Sequence, residues 1–156
     1  MPYTLIVVDM QREFHASRKR STIQNCKFLI SSAIEDEADI IFLEYIGCGR
    51  TIKSLSDLAD KYEMMHIIRK NDCSGAAEIN AVKVAYGLQT QHFKVCGVNT
   101  DQCVQFTVIN LSELFPEAVV EVIARACNAS SKEEHQDGLD IMEGYDNVII
   151  NNKPSL

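Results

Sequence analysis

Three ionisable residues follow short apolar segments of the chain. Asp9 comes directly after one such segment, Lys70 ends another, and Cys103 lies a few residues beyond a third. A thiol can be activated as a nucleophile, a carboxyl group can transfer protons, and an amine adds a positive charge. These three residue types together are suited to nucleophilic or acid–base chemistry.

Each of the three also has an ordinary structural explanation. A free cysteine is most often a small core residue, a carboxylate at a strand end can cap a loop, and most lysines are solvent exposed. If Thr100 is an N-cap, Cys103 is the third residue of a helix, where unpaired amides stabilise a thiolate. We expect the three groups to mark a site together, because perturbed ionisable groups gather in clefts.

Apolar segments along the chain predict alternating strands and helices. The predicted strands are 5–8, 39–43, 65–70, 93–98, 119–123 and 148–150, and the predicted helices are 23–37, 55–62, 76–88, 101–114 and 132–143. This spacing requires right-handed crossovers, so we predict a three-layer α/β/α fold with a six-stranded parallel sheet. Functional residues of such sheets lie beyond the carboxyl ends of the strands, which is where the acid, the lysine and the thiol fall.

Length and composition narrow the class of protein. The 156 residues predict one domain, 1–156, and the 46% hydrophobic and 24% charged residues are typical of a globular chain. A net charge of −7 argues against a nucleic-acid partner. The chain has no apolar run long enough for a membrane span and no basic leader, so we expect a cytoplasmic protein without a membrane partner. Its six cysteines form no C-x-x-C pair, and we expect free thiols.

Three segments resemble the signature segments of the isochorismatase-like cysteine hydrolases. They are VVDMQREF at 7–14, RKNDCSGA at 69–76 and CGVNTDQCV at 96–104. The segment ACNAS at 126–130, followed by Glu134 and His135, also resembles that family's late loop and helix. The resemblance therefore spans almost the whole chain.

The resemblance implies a role for each residue of the site. Cys103 would be the nucleophile, Asp9 the general base and later acid, and Lys70 the positive charge that orders Asp9. The backbone amides of Asn99 and Cys103 would bind the developing oxyanion. The family also implies a strand order of 3-2-1-4-5-6 and a cis peptide bond between Val98 and Asn99.

The implied reaction is cleavage of a small amide, carbamoyl or related C–N bond through a thioester. We expect Phe14 and Val98 to line the substrate pocket. We expect no cofactor, and we expect the protein to be a homo-oligomer, either a dimer or a tetramer.

Nicotinamidases of the family bind a metal with an Asp-x-His segment after strand two, where this chain has Glu44, Tyr45 and Ile46. Its histidines do not stand at metal-ligand spacing either, so we predict no metal site.

Two other functions remain open. The chain could be a non-catalytic relative that serves as a binding or assembly module, in which case Cys103 is unreactive. It could also be a thiol redox protein in which Cys73 approaches the nucleophile in space. The basic run 18–20 either steers an anion or is a solvated face. Arg125, where relatives in that family often carry an aspartate, suits either an anionic substrate or a local salt bridge, and we expect the salt bridge.

Overall fold

One parallel six-stranded sheet forms the centre of the computed structural model, which describes residues 2–154. The strands are β1 (Thr4–Val8), β2 (Asp39–Tyr45), β3 (Met65–Lys70), β4 (His92–Val98), β5 (Val119–Asn128) and β6 (Val148–Asn151). Their order is β3-β2-β1-β4-β5-β6, and every neighbouring pair is parallel. The predicted sheet and the strand order implied by the resemblance are confirmed.

Helices connect the strands on both faces of this sheet. They are α1 (Arg20–Glu35), α2 (Lys53–Ser56), α3 (Ala76–Tyr86), α4 (Gln105–Leu114) and α5 (Lys132–Glu143). Short 3-10 helices cover His15–Arg18 and Asp57–Ala59, and a π-helical turn covers Thr100–Val104.

The alternation of side chains along β1 explains the three layers. All five residues of β1 are buried, because successive side chains of a strand point to opposite faces and both faces are covered. Leu5 and Val7 pack in the cluster that contains the buried face of α1. Ile6 and Val8 pack in the second cluster, against α3, α4 and α5. The predicted α/β/α arrangement is therefore confirmed.

Strand β5 differs most from its predicted extent. It continues to Asn128, so part of the segment predicted as a late loop is strand. The register of the β4–β5 pairing shifts between Val95 and Gly97, after which Gly97 pairs with Cys127 and Val98 with Asn128. Pairing with β4 makes residues 127–128 part of the strand, and local sequence does not reveal that pairing.

No helix within residues 2–154 has both the length and the apolar character that a membrane crossing needs. The single domain over 1–156 stays a prediction, and the ends of that range, residues 1 and 155–156, lie outside the described residues.

Candidate active site

Lys70 and Asp9 form a buried ion pair at the carboxyl edge of the sheet. The Lys70 Nζ lies 3.1 Å from Oδ2 of Asp9, and both residues are only 1% exposed. Lys70 ends the edge strand β3 opposite Tyr45 of β2, so its side chain crosses β2 to reach the end of β1. Its ammonium also donates to the carbonyl oxygens of Asp72, at 2.9 Å, and Cys73, at 3.2 Å. All three of its donors are thereby used, which offsets the cost of burying the charge.

The aromatic ring of Tyr45 completes the surroundings of this ammonium. The Lys70 Nζ lies 4.5 Å from the centroid of the Tyr45 ring, within the range of a cation–π contact. The ring of Phe14 meets that of Tyr45 edge to face, with 6.3 Å between centroids. Tyr45 was missed in the sequence, although an aromatic residue at the end of a buried strand beside the site was a usable signal.

Asp9 has an unusual backbone conformation directly after β1. Its φ is 48°, in the left-handed region that residues other than glycine seldom adopt. Within the described chain, its Oδ1 is buried without a well-formed hydrogen bond, and the Cys103 thiol is the adjoining group that can donate to this carboxylate. Burial raises the pKa of Asp9, and the Cys103 thiol and the Lys70 charge act against that rise.

Cys103 lies in the π-helical turn Thr100–Val104 and is 6% exposed. The amides of Gln102 and Val104 both donate to the carbonyl of Asn99, at 3.0 and 3.1 Å. Gln102 departs from helical geometry, with φ −129° and ψ −106°. The predicted single helix over 101–114 is therefore divided into this turn and α4.

Burial and Asp9 both oppose ionisation of the Cys103 thiol. Burial raises the pKa of Cys103, and the negative charge of Asp9 raises it further, whereas Lys70 only partly opposes them. That a helix N-terminus favours the Cys103 thiolate stays a prediction, and these two effects act against it. The thiol therefore needs a proton acceptor to become a nucleophile, and Asp9 is the adjoining one.

A glycine brings the end of β4 against the end of β1. Gly97 has φ 119°, and a Cβ at this position would collide with the backbone of Val8. The next peptide bond, between Val98 and Asn99, is cis. The Val98 side chain is fully buried in the core, and Asn99 is partly exposed with a buried, unpartnered Oδ1 among the described residues. The pocket roles of Val98 and of half-buried Phe14 stay predictions.

A family model, the isochorismatase domain, matches residues 3–153. The chain belongs to the isochorismatase family. Solved structures share the fold of this isochorismatase domain over nearly all of its length. A search of curated proteins found no match.

Three solved structures illustrate the likeness. MAR1 ribonuclease from Caenorhabditis elegans is 21% identical with a TM-score of 0.84, covering 96% of this chain and 77% of its own. Nicotinamidase/pyrazinamidase PncA from Bacillus subtilis is 16% identical with a TM-score of 0.83, covering 97% of this chain and 100% of its own. YcaC from Escherichia coli is described as an octameric hydrolase of unknown specificity. It is 16% identical with a TM-score of 0.79, covering 96% of this chain and 75% of its own. At these identities the structures show a shared fold.

In this isochorismatase domain, the residues after β2, where the resemblance implied the metal ligands of nicotinamidases, bond to their own loop. Oε2 of Glu44 accepts hydrogen bonds from the amide and the hydroxyl of Thr51, at 2.7 and 2.8 Å. The side chain of Gln11 bonds to both backbone groups of Tyr45 and to the carbonyl of Gly49, which holds the same loop. Residues 2–154 contain no group of three His, Cys, Asp or Glu side chains arranged for a metal ion. The residues present do not fit a metal site.

Helix α5 packs closely on the turn that carries Cys103. A Cβ at Gly138 would lie 2.7 Å from the carbonyl oxygen of Thr100, so only glycine permits this approach. The Thr100 hydroxyl lies 2.6 Å from Nδ1 of His135 on α5. Thr100 was predicted as the N-cap, but Asn99 holds that position and the Thr100 side chain bonds to α5 instead.

The remaining cysteines divide by burial. All six are free, and Cys26, Cys96 and Cys127 are buried in the core, whereas Cys48 and Cys73 are half-buried. A hydrogen bond with Cys26 and burial raise the pKa of Cys96, and burial and the nearby Cys26 thiol raise that of Cys127. These thiols therefore have little tendency to react in the folded protein.

Proposed function

We propose that this isochorismatase-family protein is a cysteine hydrolase that cleaves a small amide, carbamoyl or related C–N bond. The observation that carries the proposal is the buried Lys70–Asp9 pair with the Cys103 thiol beside it. Asp9 has a buried carboxylate, a left-handed backbone and, within residues 2–154, one carboxylate oxygen without a hydrogen-bond partner. Fold stability alone explains this combination poorly, because a buried ion pair gives weak stabilisation.

The first half of the proposed reaction forms a thioester. Asp9 takes the proton of the Cys103 thiol, and the resulting thiolate attacks the substrate's carbonyl carbon. The oxyanion that forms is bound by the backbone amides of Asn99 and Cys103. The C–N bond then breaks, and the departing amine receives the proton that Asp9 holds.

The second half hydrolyses the thioester. Asp9, again a carboxylate, accepts a proton from a water molecule that attacks the acyl carbon. The C–S bond breaks, and the proton returns to sulfur as the carboxylic or carbamic acid leaves. Lys70 keeps Asp9 oriented in both steps and limits the cost of its buried negative charge.

The substrate is proposed to be a small amide held without a metal. The Bacillus subtilis relative is named for nicotinamide and pyrazinamide, which supports including both compounds among the amides tested. Phe14 is proposed to contact the substrate, and Val98, whose side chain packs in the core, to support the pocket from below. No cofactor enters the proposed reaction.

The test combines turnover with trapping of the thioester. Ammonia release is measured for a panel of primary amides and N-carbamoyl acids, with wild-type protein and the Cys103→Ser variant. Intact-mass spectrometry of rapidly quenched samples then looks for an acyl group on Cys103. We expect turnover and an acyl adduct in the wild type and neither in the variant.

The two competing functions predict different results. A non-catalytic binding or assembly module gives no turnover and no adduct with any amide, although the protein is folded. A thiol redox protein instead forms a Cys73–Cys103 disulfide under mild oxidant, which peptide mapping detects. Either result would replace the proposal.

We also propose that the protein is a homo-oligomer, a dimer or a tetramer. The Escherichia coli relative YcaC is described as octameric, which supports self-association in this fold. Light scattering coupled to size exclusion measures the mass directly, and a monomer over the working concentration range would contradict this part of the proposal.

A further inference from the structure

Two adjoining hollows lie beside the start of α5, apart from Asp9, Lys70 and Cys103. Their volumes are about 420 and 240 Å³, and none of those three residues lines either hollow. The hollows share Lys19, which precedes α1, and Asn128 and Lys132, which lie at the end of β5 and the start of α5. We name the two hollows together the α5 cleft.

Four cations from separate parts of the chain line the α5 cleft. They are Arg18, Lys19, Arg125 and Lys132. No carboxylate lines either hollow, and within residues 2–154 none of the four cations is in an ion pair. The local salt bridge expected for Arg125 is therefore absent from the described chain.

The positive charge of the α5 cleft contrasts with the net negative charge of the whole protein. The chain has a net charge of −7, and another hollow, between α3 and α4, is lined by Asp72, Glu78 and Glu113. Like charges brought together without a counter-ion repel one another, and because all four side chains are exposed, solvent reduces this repulsion without removing it. An anion in the α5 cleft would remove that repulsion.

The cleft also offers hydrogen-bond donors of its own. Ser131 caps α5, a helix of 12 residues, whose first amides and positive dipole end adjoin the cleft. The acidic residues of its first turn, Glu133 and Glu134, do not line either hollow. His135 lines the smaller hollow, where burial and the nearby Lys19 charge lower its pKa and the Asp101 charge acts against them.

We infer that the α5 cleft is a binding site for a small oxyanion, the phosphate or carboxylate group of a ligand. Phosphate and carboxylate share the chemistry that the cleft recognises, which is negatively charged oxygen facing Lys, Arg and helix amides. The site is separate from the proposed catalytic group, so it does not depend on the proposed hydrolysis.

A small ligand fits the cleft better than a polynucleotide. Four cations gathered around hollows of about 420 and 240 Å³ can neutralise one anionic group, whereas a polynucleotide needs a basic surface that follows its backbone. The surrounding acidic surface would repel the remainder of a long polyanion.

The experiment measures binding of inorganic phosphate and of malonate, the phosphate and carboxylate probes, by isothermal titration at constant ionic strength. Three proteins are compared: wild type, the double variant Lys19→Gln with Lys132→Gln, and a control double variant, Lys61→Gln with Lys153→Gln. Both double variants lose the same charge, and the control lysines are exposed and lie outside the cleft. Amide shifts in residues 129–132, followed by NMR, locate the bound probe.

We expect the cleft variant to bind about tenfold or more weakly, and the control to stay within about twofold of wild type. Binding of phosphate alone assigns the site to phosphorylated ligands, and binding of both probes assigns it to oxyanions in general. The inference fails if neither probe binds, or if both double variants lose binding equally. It also fails if a short single-stranded RNA binds through the same lysines more tightly than either probe.

Discussion

Thr100 and His135 link helix α5 to the turn that carries Cys103. The Thr100 Oγ1 and the His135 Nδ1 are 2.6 Å apart, although the residues are 35 positions apart in sequence. Thr100 is fully buried at the start of that turn, and His135 lies one helical turn before Gly138, where α5 comes closest. The position of the proposed nucleophile therefore depends on α5 as well as on β4.

We expect the protein to lose stability in mild acid because of His135. Burial lowers its pKa in the folded state, Lys19 adds to that effect, and Asp101 opposes it. The unfolded chain then binds the proton more readily, so this stability is present above about pH 6.5 and is lost as pH falls through the lowered folded value. The melting temperature should fall less between about pH 7 and pH 5 in His135→Gln than in the wild type.

His15→Gln is the control for this comparison. His15 is exposed, so the variant should keep the wild-type slope. A His135→Gln slope parallel to that of the wild type would show that the Thr100 contact does not respond to this histidine's charge.

Gly138→Ala should separate α5 from the turn. The new Cβ would lie 2.7 Å from the Thr100 carbonyl oxygen and 2.9 Å from Cα of Asp101, and neither backbone atom can move easily. We expect a loss of roughly 1–3 kcal/mol in the free energy of unfolding, despite the better helix propensity of alanine. Urea denaturation measures this loss.

Gly144→Ala, at the other end of the same helix, is the matched control. Its nearest neighbour would be the Ile141 carbonyl oxygen at 3.3 Å, and its φ is −70°. Its free energy of unfolding should change by less than about 1 kcal/mol. Equal losses in the two variants would contradict the close-packing argument for Gly138.

Local sequence patterns predicted most elements well and failed where a distant residue decides the structure. The strand 65–70 and the helix 132–143 have their predicted bounds, since apolar periodicity and the Ser131 cap act within each segment. The end of β5 was missed because Gly97 and Val98 of β4 pair with it. Thr100 was given the wrong role because its partner, His135, lies on another helix.

The candidate site shows the same division. Residue type and position at strand ends brought Asp9, Lys70 and Cys103 together in advance, and the Lys70 Nζ does reach Asp9. Local sequence did not reveal that burial and the Asp9 charge raise the pKa of Cys103, because both effects depend on tertiary packing. Tyr45 was missed although its place at the end of a buried strand was a usable signal. Its contact with the Lys70 ammonium forms because the Lys70 side chain crosses β2.

Lys70→Met should destabilise the protein most at neutral pH. Without the ammonium, the pKa of buried Asp9 rises further, and an unpaired buried carboxylate costs about 3–5 kcal/mol. A carboxyl group with a raised folded pKa loses stability as pH rises through that value, so the deficit should shrink towards about pH 4. Urea denaturation at several pH values gives the profile.

The double variant Lys70→Met with Asp9→Asn tests the cause of that loss. Removing both charges leaves no buried ion, so we expect the double variant to recover part of the stability that Lys70→Met loses. No recovery would mean that Lys70 acts through its hydrogen bonds to Asp72 and Cys73 rather than through Asp9.

Asp9→Asn should change the reactivity of Cys103 and the hydrolysis of substrate in opposite directions. The Asp9 charge raises the pKa of the thiol, so its removal leaves burial as the main effect that opposes Lys70 and increases the thiolate fraction at a given pH. Alkylation of Cys103 by iodoacetamide near pH 8, measured by peptide mapping, should therefore be faster than in the wild type.

Amide hydrolysis by Asp9→Asn should fall about 100-fold or more, because asparagine cannot accept or return the proton. Half-buried Cys48 serves as the internal standard, with an unchanged rate. Slower alkylation together with lost hydrolysis would instead mean that Asp9 sets the structure of the turn rather than the proton balance of the thiol.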